Sequence, residues 1–187
     1  MRKFFAIVFA AAILTIGSSA ALAQMMKEDP MVGGAAMYPS KTIVANAVNS
    51  ADHTTLVAAV KAAGLVDTLN STGPFTVFAP TNAAFDQLPA GTVDTLLKPE
   101  NKAMLTKVLT YHVVSGRYDS KALAKLIKKG HGHAWLKTVS GGNLTVMMIG
   151  SNIVVRDEKG GTSTVTIGDV YQSNGVIHVV NAVLLPN

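Results

Sequence analysis

From residue 40 to about residue 110 the apolar side chains recur at helical spacing, and from about residue 135 they run in short strand-like blocks separated by glycine, asparagine and serine. Ile43, Val44, Ala47 and Val48 share one helical face, behind Ser40 or Thr42 as the cap. A second helix is predicted from His53 or Thr54 to Ala63 through Leu56, Val57 and Val60, with Gly64 ending it. Leu65, Val66 and Leu69 add an apolar turn before a loop at 70–73. Two prolines, Pro74 and Pro80, then bracket a strand, because neither fits inside a central ladder. Within it Phe75 and Val77 point one way and Thr76 and Phe78 the other, which predicts a strand covered on both faces. Thr81 can cap the turn 82–88 and return Phe85 and Leu88 to the core.

Further on, Val93, Leu96 and Leu97, and then Met104, Leu105, Val108 and Leu109, are helical, with Pro99 at the first turn of the second set. Residues 111–114 read as strand-like. Ser120 can cap a helix over 121–129 whose Leu123, Leu126 and Ile127 form a narrow apolar stripe beneath a lysine-rich face. Strands are predicted near 135–139, 144–149, 153–156, 163–171 and 176–185, and Asn174-Gly175 is the strongest hairpin signal. Helices in the N-terminal half and strands in the C-terminal half argue an α+β fold. With no internal repeat, one module is expected.

The N-terminus carries a different pattern. Met1-Arg2-Lys3, an apolar run from Phe4 to Ile16 and Ala21-Leu22-Ala23 have the three-part layout of a secretory signal peptide, with cleavage expected after Ala23. Residues 24–39, with Met25, Met26, Met31 and Met37, two prolines and Gly33-Gly34, are expected to form an extended arm, and the folded domain to span 40–187. No later stretch is long and apolar enough to predict a membrane span. The expected location is periplasmic, extracellular or at the cell surface. The chain has no cysteine, so neither a disulfide nor a lipidated cysteine is available and core burial must hold the domain together. Removing Arg2 and Lys3 leaves 14 basic against 11 acidic residues, too mild an excess for a nucleic-acid partner. Much of that excess is local: Arg117, Lys121, Lys125, Lys128, Lys129 and Lys137 are accompanied by Asp119 as their only acid.

Three segments carry a family resemblance: TGPFTVFAPTNAAF at 72–85, the pair Tyr111-His112, and NGVIHVVNAVLLP at 174–186. In order and spacing they resemble the fasciclin (FAS1) domain, here a bacterial-type secreted, single-domain member. The resemblance implies a twisted β-sandwich or wedge with helices packed along it. It also implies an adhesion or interaction module with no shared reaction. The motif positions it marks are Phe75, Val77, Phe78, Pro80, Thr81, Asn82, Phe85, His178, Asn181, Leu184 and Pro186.

Tyr111 and His112 lie where the family's adhesive contacts have been associated, although partly buried Tyr and His more commonly serve as a hydrogen-bonded bridge between helices and sheet. His178, between Ile177 and Val179, reads as a core or edge histidine. His131 and His133 flank Gly132 in a loop where two imidazoles could chelate a divalent metal, but a structural zinc needs four ligands. The chain lacks a G-x-S-x-G elbow and a cysteine nucleophile, and its sparse acids favour no carboxylate pair, so no enzyme is expected. The sequons at Asn70 and Asn143 are expected to stay unmodified.

The expected function is therefore secreted adhesion or interaction through binding of envelope or matrix glycans or proteins, without a cofactor. Its expected contacts are Tyr111, His112, Arg117, Lys121, Lys125, Lys128 and Lys129. The alternative is a periplasmic metal- or small-ligand-binding protein using His131, His133 and the methionines. A monomer is the working expectation, with the oligomeric state left open.

Overall fold

The computed structural model describes residues 29–187. The expected signal peptide and the first part of the expected arm lie outside the described residues. The remainder of that arm is not extended: β1 (Met31–Val32) and β2 (Ala35–Ala36) pair as a small antiparallel hairpin. Val32 and Met37 are buried in the main core, so apolar burial rather than periodicity decides this segment.

Six helices follow in two groups: α1 (Ile43–Ala47), α2 (Thr54–Ala63) and α3 (Val66–Asn70), then, after β3 (Phe75–Pro80), α4 (Asn82–Asp86), α5 (Thr92–Leu96) and α6 (Lys102–Tyr111). The caps follow from the sequence. The Ala45 and Ala84 N–H groups donate to Thr42 Oγ1 and Thr81 Oγ1, and Gly64 closes α2 in the left-handed region at φ 73°. Helix α6 runs one residue into the expected strand, so Tyr111 is its last residue and His112 its cap. The strand that follows, β4 (Val113–Ser115), is short.

After α7 (Ser120–Lys129) come β5 (His133–Lys137), β6 (Asn143–Ile149), β7 (Asn152–Arg156), β8 (Thr162–Gln172) and β9 (Gly175–Val180). Because Gln172 pairs with Gly175, the hairpin turn is Ser173-Asn174 and Gly175 is a strand residue. Only a backbone without Cβ fits there, since a Cβ at Gly175 would lie 2.2 Å from the Phe75 carbonyl oxygen. The last strand also ends at Val180, earlier than expected.

One seven-stranded sheet has the order β4-β3-β9-β8-β7-β6-β5. The β3/β9 pair is parallel, and the other neighbours are antiparallel. A bridge between Val114 and Thr138 joins its two ends, so the sheet curls on itself. Strand alternation then makes two cores. Val77 and Ala79 of β3, with Ile177 and Val179 of β9, face the helices α1 to α6. Phe78 and Val180 face the inside of the curl, with Leu144, Val146 and Val155, and α7 covers that side through Leu123 and Ile127. Both faces of β3 are thus apolar for different reasons, as its composition predicts.

Candidate functional site

The motif residues act first as joints. Thr81 N–H donates to the Val180 carbonyl, fixing the exit of β3 on β9. Asn82 Oδ1 accepts from Thr55 N–H and its Nδ2 donates to the Ala51 carbonyl, which ties α4 to the start of α2. Phe85, Leu184 and Pro186 are buried, and Asn181 Oδ1 accepts from Thr164 N–H beside β8. Asn174, between β8 and β9, holds three elements: Oδ1 accepts from Ile43 N–H, and Nδ2 donates to the carbonyls of Leu69 and Ser71. Its role was not legible, because the hairpin signal drew attention to backbone conformation rather than to the amide side chain.

Tyr111 and His112 do not reach the surface. Tyr111 is fully buried, its hydroxyl donating to the Asn143 carbonyl at 2.7 Å and accepting from Glu158 N–H at 3.0 Å. Burial pushes its pKa up to about 12. The ring lies so close to Gly142 that a Cβ there would sit 2.7 Å from it. His112 Nδ1 lies 2.8 Å from the Val108 carbonyl, and Nε2 accepts from Leu184 N–H at 3.0 Å. This pairing requires a neutral ring with its proton on Nδ1. Desolvation accordingly lowers its pKa to about 4. Direct contact with a partner by either side chain would require the fold to open, which corrects the expectation that they are surface contacts.

His178 is likewise fully buried. Its Nε2 lies 2.7 Å from the Tyr118 carbonyl, its Nδ1 faces Asp169 N–H at 3.4 Å, and its ring stacks on Phe78 with centroids 5.7 Å apart. Asp169 has φ 58°, at a register shift between β8 and β9. That left-handed residue aims its carboxylate at α7: Oδ1 accepts from Ser120 N–H at 2.6 Å and Oδ2 from Ser120 Oγ at 2.5 Å. The N-cap is Asp119 rather than Ser120, since Asp119 Oδ1 accepts from Ala122 N–H at 2.8 Å. That bond is also what holds the Asp119 carboxyl below the usual range.

Two carboxylates therefore meet the positive end of α7, and Lys128 and Lys129 occupy its last turn, matching the helix dipole at both ends. Leu123 and Ile127 bury the inner side, leaving Lys121, Lys125, Lys128 and Lys129 exposed. The spacing of 121, 125 and 128 puts three ammonium groups on one face. Arg117 is exposed nearby, with its guanidinium donating to the Gln172 carbonyl at 3.2 Å.

His131 is exposed at φ 55°, whereas His133 is the first residue of β5 and packs edge-on to Trp135 at 4.5 Å. Among the described residues no group of three or more His, Asp or Glu side chains could hold a metal ion. Of the methionines in the expected arm, Met37 is buried and Met31 exposed. Trp135 itself is 68% exposed, a feature that sequence reading missed because strand alternation alone does not tell which face is solvated. Among the described residues no helix is long and apolar enough to cross a membrane.

Comparison with known proteins agrees with this architecture. A structure of a FAS1 domain pair from the insect cell adhesion molecule fasciclin I superposes with a TM-score of 0.69 at 22% identity, covering 78% of this chain and 51% of that one. The chain thus spans about half of that solved two-domain chain. Protein sll1483 of Synechocystis sp. is 45% identical over 168 residues, covering 89% of this chain and 86% of the relative. Immunogenic protein MPB70 of Mycobacterium bovis is 35% identical, covering 87% and 72%. Transforming growth factor-beta-induced protein ig-h3 of Sus scrofa is 39% identical over 70% of this chain but only 17% of its own length. The family model for the fasciclin domain matches residues 51–186, and the chain belongs to the fasciclin domain family.

Proposed function

We propose that this protein is an exported adhesion and interaction module whose contact surface is the outer face of α7, binding an anionic envelope or matrix glycan or protein. The observation that carries the reading is the row Lys121, Lys125 and Lys128 on a helix anchored by Leu123 and Ile127 and charge-matched at both ends. Such a helix presents its cations from a fixed platform, so a partner with spaced negative groups meets them with little ordering cost. The family's adhesion and interaction roles support the class of function. Surface recognition rather than turnover fits a domain whose His112 and His178 are consumed by its own backbone.

The test is retention on an immobilised sulfated glycan. Lys121→Glu, Lys125→Glu and Lys128→Glu together should abolish retention at low salt and leave the melting temperature nearly unchanged, because exposed charges contribute little to stability. The unsubstituted chain should elute as salt rises. Retention that survives the triple substitution refutes this surface.

A further inference from the structure

The helices and the sheet enclose a cavity of about 80 Å³ that none of α7 lines, so it is independent of the adhesive face. Ile43, Leu56, Val60, Val77 and Ile177 are among its walls, all of them buried. Val139, 43% exposed, also lines it, so the cavity extends toward the surface.

One polar side chain interrupts this apolar lining with a bond left unmade. His53 is 3% exposed and lines the cavity. Its Nδ1 lies 2.9 Å from Ser50 Oγ, whereas its Nε2 is the only buried side-chain nitrogen or oxygen among the described residues without a hydrogen-bond partner. The Ala79 backbone lies close enough to favour the charged ring, but it does not reach hydrogen-bond geometry, and desolvation outweighs it. The ring is therefore neutral near pH 7. Its proton can be placed by accounting. Among the described residues Ser50 Oγ has no other bond, so a hydroxyl donating to Nδ1 leaves only Nε2–H over. The opposite tautomer strands both the hydroxyl proton and the Nε2 lone pair, which is the costlier arrangement.

A buried donor without a partner costs about 1–3 kcal/mol, which an acceptor entering the cavity would recover. Water suits the position poorly, because an ordered buried water makes about three hydrogen bonds and the unpaired side-chain atoms here supply one. We propose that the cavity binds a small neutral molecule of about five non-hydrogen atoms, apolar except for one acceptor such as a ketone or ether oxygen. His53 Nε2–H donates to that oxygen, and the aliphatic walls take the remainder.

The test is a titration of the isotope-labelled chain followed by NMR. The probe is 2-butanone, and the control is 2-methyl-1-butene, which has nearly the same shape but no oxygen. 2-Butanone should shift the methyl signals of Val60, Val77 and Ile177 saturably, together with the His53 Nε2–H signal. His53→Phe should lower the affinity for 2-butanone relative to 2-methyl-1-butene by about fivefold or more, the worth of one hydrogen bond. An absence of saturable methyl shifts with both compounds, or a ratio unchanged by His53→Phe, overturns the proposal and leaves a packing void or a purely apolar hole. Should His53→Phe fail to fold, the Nε2–H signal of the unsubstituted chain decides. Movement with 2-butanone alone supports the site, and equal response or no response to the two compounds rejects it.

Discussion

Lowering the pH from 7.5 to 5 should destabilise this domain, and His112 sets the scale. In the fold its Nδ1–H and its Nε2 lone pair are both committed, to Val108 and Leu184. A second proton on Nε2 would face the Leu184 N–H, donor against donor. Desolvation by burial holds the folded ring at about 4 rather than 6.5, opposed by the Val108 carbonyl and then by Asp157. Between those values the unfolded chain binds a proton that the folded chain refuses, so the unfolding free energy falls as the pH is lowered through that window. The full difference corresponds to about 3 kcal/mol, of which about 2 kcal/mol is lost by pH 5. His53 and His178, also held neutral by burial, act in the same direction. Urea denaturation at pH 7.5 and pH 5 measures this directly, with the midpoint moving down at constant slope. Equal or greater stability at pH 5 would refute the reasoning.

Phe78→Ala should cost about 3–5 kcal/mol by urea denaturation, since that ring is fully buried. Phe75→Ala should cost distinctly less, because Phe75 is only half-buried, and a similar loss at both would contradict the two-core description. Asp119→Ala removes the α7 cap and should lower stability by about 1 kcal/mol, whereas Ser120→Ala should leave that cap intact. Tyr111→Phe should cost about 1–3 kcal/mol by stranding the Asn143 and Glu158 backbone groups, without changing retention on the sulfated glycan. Lost retention in a folded Tyr111→Phe chain would reinstate Tyr111 as a contact.

The elements most legible in the sequence are those set by local chemistry. Thr81 before an apolar turn, Gly64 after α2 and the apolar alternation of residues 75–78 each specify their structure within a few residues. Ser120 against Asp119 shows the limit: both are good caps, and the choice falls to Asp169, 49 positions away, which takes Ser120 for itself. Tyr111 reads as strand in the sequence because β4 and α6 share an apolar junction, and only the packing of its ring beneath Gly142 decides for the helix. Residues 31–37 lack periodicity, yet they are held by burial of Val32 and Met37, a tertiary effect that no window of sequence contains. The basic face was visible as composition, whereas the cavity beside His53 was not, because an unmade hydrogen bond leaves no mark on sequence.

The parallel pairing of β3 with β9 also constrains how the molecule is built in time. Phe75 lies beside Gly175 and Pro80 beside Val180, so the middle of the sheet joins residues about a hundred positions apart. Until β9 has been made, β3 and β8 each lack the neighbour they share. Closing such a long loop is entropically costly and slow, so the α2/α6 contacts should form before the sheet does. A nascent chain therefore stays unlocked in the middle of its sheet until β9 is available, however early its helices pack.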